Sequence, residues 1–193
     1  HFYGGGDEAV KHGDMDGSLS KPSADFDVHM GGQDFSCAEC HTSENHKISG
    51  RSHGSRYMGT GKQVACENCH EGEVHKKSRL NEHAKTIACQ TCHIPTYAKE
   101  IATKTWWDWS TAATKSEPKN DEFGKPDFDD KKGHFTRGKD LVPTYKWYNN
   151  SHGYYLLGDK IDASKTVELN QLNVTIADKD AKIAHFKVMR TKQ

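Results

Sequence analysis

Apolar positions are sparse along this chain, and only a few stretches have a period that predicts an element. Arg79 to Ala88 reads as a short helix that delivers the chain into Cys89, and Pro95 ends regular structure soon after His93. Thr144-Tyr145-Lys146-Trp147-Tyr148 and Tyr154-Tyr155-Leu156-Leu157 flank Asn149 to Gly153, a pattern that predicts a β-hairpin with a five-residue turn. Ala184, Phe186 and Val188 alternate with polar residues and predict one more short strand. Trp106, Trp107 and Trp109 are packed too densely for an alternating strand or a single helical face. Residues 115–133 are charged, carry Pro118, Gly124 and Pro126, and read as a surface loop. Gly4, Gly5, Gly6, Gly13, Gly17, Gly31 and Gly32 make residues 1–36 mostly loop. Within them Asp14-Met15-Asp16-Gly17 is a turn, since the spacing and closing Glu of a calcium loop are missing.

Composition makes the shortage of apolar residues a physical problem. The hydrophobic fraction is 33% over 193 residues and the mean hydropathy is −0.92, which is poor for an ordinary core of this size. The 27 basic and 27 acidic residues cancel, so nothing suggests a nucleic-acid binder. No apolar run reaches the length of a membrane span.

The cysteines supply the missing apolar mass. Cys37-Ala38-Glu39-Cys40-His41, Cys66-Glu67-Asn68-Cys69-His70 and Cys89-Gln90-Thr91-Cys92-His93 repeat one pattern, Cys-x-x-Cys-His, and use all six cysteines of the chain. The pattern marks covalent attachment of haem c: two thiols add to the vinyl groups and the adjacent histidine binds the iron. Four-thiolate zinc sites consume such pairs two at a time and would leave one over, although mixed Cys/His sites could absorb it. A disulfide framework or a thioredoxin-like pair gives no reason for a histidine at the same place three times. Three haems, each a large apolar plate, would replace much of an aliphatic interior. The Trp cluster then reads first as packing against a haem or a neighbouring subunit, ahead of a substrate-stacking site.

The chain has 13 histidines. Apart from the proximal His41, His70 and His93, the candidates for the sixth iron ligand are His46, His75 and His83 first, then His29, His53 and His12. His46 and His75 each follow a proximal histidine by five residues. That link is too short to reach the opposite face of the same porphyrin, so each is expected to serve a neighbouring haem. His134, His152 and His185 read as surface or hydrogen-bonding residues, and Met58 and Met189 are weaker thioether candidates. The surplus favours closed bis-histidine irons, suited to electron transfer, over open irons suited to catalysis.

The expected fold is a mostly irregular and α multihaem cytochrome c fold, with short helices around packed haems and a small haem-free β-containing C-terminal segment. Residues 1–36 would wrap the haems, 37–93 would carry them, and 94–193 would form a Trp-rich segment ending in a hairpin flap. Haem c is attached outside the cytoplasm in bacteria, so the expected location is periplasmic or at the cell surface. His1-Phe2-Tyr3 also reads as the continuation of an upstream Cys-x-x-Cys-His. His1 is therefore a candidate ligand to a further haem attached upstream, which would bring a fourth haem into contact and make the chain a fragment.

Several segments resemble the octahaem tetrathionate reductase family of multihaem cytochromes. They are Cys89 to Pro95 leading into Trp107-Asp108-Trp109-Ser110-Thr111-Ala112, then Lys11-His12-Gly13-Asp14, Cys37 to Ser52, Tyr145 to Tyr148, and Leu157 to Ile161. The resemblance implies an eight-haem parent, of which three complete motifs are present. It also implies that the family's unusual lysine-ligated haem lies N-terminal to this stretch, so no lysine here inherits that role. Ala184-His185 and Met189 depart from the family pattern, in which a proline and a histidine are expected.

Three functions follow from these readings. The chain is an electron-transfer module that passes electrons to redox partners or to further haem-bearing segments of a parent protein. Alternatively it is part of a reductase of tetrathionate, nitrite or hydroxylamine whose catalytic haem lies elsewhere. The third reading is a subunit of a homo-oligomeric extracellular cytochrome polymer. No catalytic residue is assignable from the sequence.

Overall fold

The computed structural model describes residues 17–45, 47–49 and 64–193. His1, His12, His46, His53 and Met58 lie outside the described residues, as do Gly4, Gly5, Gly6 and Gly13. The chain divides into two compact units. The first comprises residues up to Val74, Ala98–Asp140 and Met189–Gln193; the second comprises His75–Tyr97 and Leu141–Val188.

The first unit holds the first two Cys-x-x-Cys-His motifs and a four-stranded sheet. A minimal hairpin, β1 (Ser43–Glu44) and β2 (Lys47–Ile48), follows the first motif. The sheet consists of β3 (Thr103–Asp108), β4 (Phe128–Asp129), β5 (Gly133–Gly138) and β8 (Arg190–Lys192), in the order β4-β5-β3-β8. β3 and β5 are antiparallel, with Trp107 opposite Phe135, whereas β8 lies parallel to β3.

The tryptophans expected to be too dense for a strand therefore occupy one. A register shift between Lys104 and Trp106 explains how. It lets the buried Lys104 share the face of Trp107, where its Nζ lies 4.5 Å from the Trp107 ring and 3.7 Å from the Phe135 ring. Trp107 is buried and its indole N–H donates to the Lys132 carbonyl at 2.7 Å, while Trp106 faces outward. The strand ends at Asp108. A 3-10 turn (Trp109–Thr111) then folds Trp109 back onto Trp107, ring centroids 4.3 Å apart and 13° from parallel. The cluster is thus partly the core of its own sheet.

Residues 115–133, expected as a surface loop, contribute β4 and the buried Phe128. Gly133 makes the entry into β5 possible. Its φ is +81°, and a Cβ there would run into the Asp108 carbonyl oxygen. Gly133→Ala should therefore cost about 2–4 kcal/mol of stability, read as a lowered thermal midpoint with haem content unchanged.

One ion pair braces the outer part of this sheet. Arg137 Nη1 donates to Asp121 Oδ2 at 2.7 Å and to the Pro126 carbonyl at 2.9 Å, with the two side chains only 7% and 16% exposed. Burial pushes the Asp121 carboxyl up. Hydrogen bonds from the Lys125 N–H, Arg137 and the Phe123 N–H outweigh burial and hold it below its ordinary value of 3.8. A depressed carboxyl contributes stability above that value and loses it as pH falls further. Arg137→Leu should cost about 3–5 kcal/mol at neutral pH, because it strands a buried carboxylate. Denaturant titrations of both proteins should show the gap narrowing below pH 4, as protonation of Asp121 relieves the variant and weakens the wild type.

The second unit holds the third motif. The helix expected over 79–88 forms over Ser78–Thr86, and Cys89–His93 makes one further helical turn. β6 (Thr144–Tyr148) forms as expected, but its partner is not Tyr154–Leu157. It pairs antiparallel with β7 (Lys182–Phe186), Tyr145 opposite His185. Asn149 does not reverse the chain into a hairpin. Its Oδ1 accepts from the Ser151 N–H in a local turn, and its Nδ2 donates to Asp178 at 2.7 Å. Leu156 and Leu157 lie 63% and 108% exposed, outside any sheet. The later alternating segment wins because Phe186 packs edge-on against Tyr148, centroids 5.2 Å apart. β7 is also bonded to the third motif: its Ile183 carbonyl accepts from the Ala88 N–H and the Thr91 hydroxyl, both at 2.9 Å.

Candidate functional site

The described residues form three α-helices: α1 (Cys37–Cys40), α2 (Ser78–Thr86) and α3 (Cys89–His93). The middle motif forms a 3-10 turn over Cys66–Asn68. In each case a single helical turn places cysteines three residues apart on one side, and the histidine leaves at the end of that turn. In the first two motifs the histidine N–H closes the turn, His41 to the Cys37 carbonyl and His70 to the Cys66 carbonyl, both at 2.9 Å. Ser36 caps the first turn by donating its N–H to the Glu39 carboxylate at 2.8 Å. The Ser36 hydroxyl also bonds that carboxylate and is the main reason its pKa is lowered. All six cysteines are unbridged.

The motif segments bury none of their residues against protein. Apolar side chains instead stand exposed close by: Phe35, Val64, Val74, Leu80 and Ile94, at 36–49%. Between the first and second motifs lies a cleft of about 550 Å³ lined by Phe35, Cys40, Val64, Ala65 and Cys69 among others. Thiols on a cleft that is apolar along Phe35, Val64 and Ala65 and polar along Glu39, Thr42 and Asn68 fit a covalently held porphyrin, which has an apolar plate and polar propionates.

The first proximal histidine is fixed in a usable tautomer. The β1–β2 hairpin returns Ser49 to the motif, and His41 Nδ1 lies 3.0 Å from the Ser49 carbonyl oxygen. A carbonyl only accepts, so Nδ1 carries the proton and Nε2 keeps a lone pair for a metal.

Two histidine pairs have the separation of ligands across one metal ion. Imidazoles on opposite sides of a metal, each bonded at about 2.0 Å, have ring centroids about 6 Å apart. Within the first unit, the His29 and His70 rings are 6.0 Å apart with planes 68° from parallel. Within the second, the His75 and His93 rings are 6.0 Å apart with planes at 20°. His29 sits in a tight loop: Asp27 Oδ1 accepts from the His29 and Met30 N–H groups, and the His29 carbonyl accepts from Gln33 and Phe35. The structure thus brings His75 to the histidine of the motif that follows it.

The other candidates are placed differently. His83 is exposed in the last turn of α2, and among the described residues its ring meets no motif histidine. His134 Nδ1 lies 3.0 Å from the Thr111 hydroxyl, and its ring packs on Phe128. His152 packs against Tyr154. His185 is half-buried on β7, where burial pushes its pKa down. Sequence reasoning missed Ser49 and Asn81. Asn81 bonds to His75 three times, and no motif spacing points to either residue.

Residues 22–104 match the family described as cytochrome c7 and related cytochrome c, and residues 104–193 match bacterial cytochrome c. The chain is a multihaem c-type cytochrome, and its cofactor is covalently bound haem c. Its fold is similar to the crystal structure of octaheme cytochrome c from Shewanella oneidensis, with a TM-score of 0.85 and 43% identity. The match covers 98% of this chain and 42% of that one, so the chain spans less than half of the octaheme protein. No curated protein shows a significant match. Among the described residues, no helix is long and apolar enough to cross a membrane.

Proposed function

We propose that this chain is an electron conduit whose irons are closed by two histidines each. The observation that carries the reading is the pair of 6.0 Å histidine separations, His29 with His70 and His75 with His93. Bound haem c supplies an iron that cycles between Fe(III) and Fe(II). His29 with His70, and His75 with His93, would each hold such an iron from two sides and leave no coordination site for substrate or water. Cys37, Cys40, Cys66, Cys69, Cys89 and Cys92 would anchor the haems, and His41, whose Nε2 keeps its lone pair, would ligate the first iron. His12, His46, His53 and His83 are the distal candidates that remain.

The near-complete overlap with part of an octaheme cytochrome supports a second reading of the whole protein. In it, this stretch feeds electrons to a catalytic haem of a tetrathionate, nitrite or hydroxylamine reductase located outside residues 1–193. Both readings place the protein in the periplasm or at the cell surface. Carbon monoxide added to the fully reduced chain tests the closed-iron claim. The expected result is an unchanged absorption spectrum; uptake at one haem or more would contradict it.

A further inference from the structure

The third motif's candidate distal histidine is gripped by one side chain. Asn81, four residues into α2, accepts from the His75 backbone N–H at 2.9 Å and lies 3.2 Å from His75 Nδ1 through the same Oδ1. Its Nδ2 donates to the His75 carbonyl at 2.9 Å. Those two backbone bonds decide which way the amide points. A flipped amide would set NH₂ against N–H and oxygen against carbonyl. The atom facing the ring is therefore an acceptor, and Nδ1 must carry the proton. Nε2 is left with its lone pair, as an iron ligand requires.

Backbone bonds alone would only shape the loop. The bond to Nδ1 adds a restraint on the ring, whose plane lies 20° from that of His93. The comparable pair in the first unit stands at 68°. We infer that Asn81 is a positioning residue: it fixes the tautomer and ring plane of His75 and so tunes the haem attached through Cys89 and Cys92. The inference rests on the bis-histidine reading proposed above. A hydrogen bond to the remote nitrogen of an axial imidazole sets its basicity, and ligand basicity and orientation set the reduction potential and the low-spin EPR signature.

The test is an EPR-monitored potentiometric titration of the haem-loaded chain and of its Asn81→Leu and Asn81→Asp variants. The relevant signal is the one lost in His75→Ala. In the unsubstituted chain it should be rhombic and low-spin, as nearly parallel imidazoles give. Asn81→Leu removes the restraint, so the signal should broaden toward larger anisotropy and the potential should rise. Asn81→Asp keeps an acceptor on Nδ1 and makes the imidazole more basic while losing the donor to the His75 carbonyl, so the potential should fall. A signal and potential indifferent to both substitutions would overturn the inference alone. If Asn81→Leu does not fold, an unchanged potential in Asn81→Asp overturns it equally. A high-spin iron in the unsubstituted chain would remove the bis-histidine reading itself, before any variant is compared.

Discussion

Replacing Cys66 and Cys69 together with alanine should yield a chain that carries one haem fewer and loses the order of its middle motif region. Both thioether anchors of the middle haem vanish, and His70 alone is a weak tether for a porphyrin. The structural consequence follows from how little protein core surrounds this motif. The segment over Cys66–Asn68 buries nothing, and Phe35 and Val64 line the adjoining cleft while 36% and 37% exposed. Covering an apolar side chain of this size is worth about 1.5–3 kcal/mol, so a porphyrin contacting several of them supplies a large part of a stability of about 5–15 kcal/mol. The sheet built on Trp107, Phe128 and Phe135 has its own core and should survive. Intact mass would show the missing haem. Hydrogen exchange should show protection lost around residues 23–35 and 64–70 and retained in β3 and β5. A variant with unchanged haem mass would refute the attachment assignment.

The second large effect should come from the distal histidines. His75→Ala should convert the haem held by Cys89, Cys92 and His93 from low-spin to high-spin, and His29→Ala should do the same for the haem held by Cys66, Cys69 and His70. Each removes one of two imidazoles placed 6.0 Å apart and leaves the covalent anchors in place. The potential of the affected haem should rise by on the order of 100 mV, a fraction of the roughly 0.8 V that axial ligation can span. The reduced variants should also bind carbon monoxide. His83→Ala is the control. His83 is not the ring paired with His70 or His93, so its removal should leave the haems held by those two histidines low-spin. A spectral change in His83→Ala with none in His75→Ala would reverse the assignment.

What could be read from the sequence depended on the distance over which each feature is encoded. A Cys-x-x-Cys-His motif closes within one helical turn, so the six anchors and three proximal ligands stand in five-residue strings. For His75 the sequence offers only a short link, since five residues do not wrap around a porphyrin, and it names no partner. Its ring lies against His93. His29 is different, since it meets a histidine 41 residues later, and only the loop closed by Asp27 and Phe35 brings it there.

The sheet was harder to read because its strands are short and far apart in sequence. Trp106-Trp107-Asp108-Trp109 looks unlike a strand until the shift near Lys104 and the turn at Trp109 are known. Asn149 to Gly153 has hairpin composition, yet β6 finds its partner beyond residue 180. That pairing is decided by packing between Tyr148 and Phe186, which no local pattern encodes. Ser49 and Asn81 were invisible for a related reason. Each acts through hydrogen bonds to a histidine six or eight residues away, in a geometry set by a small hairpin or a helix start.

The central claim is that these irons are closed by pairs of histidines. An EPR spectrum of the fully oxidised chain, with haem counted per protein, tests it most directly. The account predicts three haems, all low-spin, including one signal from nearly parallel imidazoles and one of greater anisotropy from the 68° pair. A high-spin signal amounting to a whole haem would mean that an iron in this stretch is open, and the conduit reading would give way to catalysis within the chain itself.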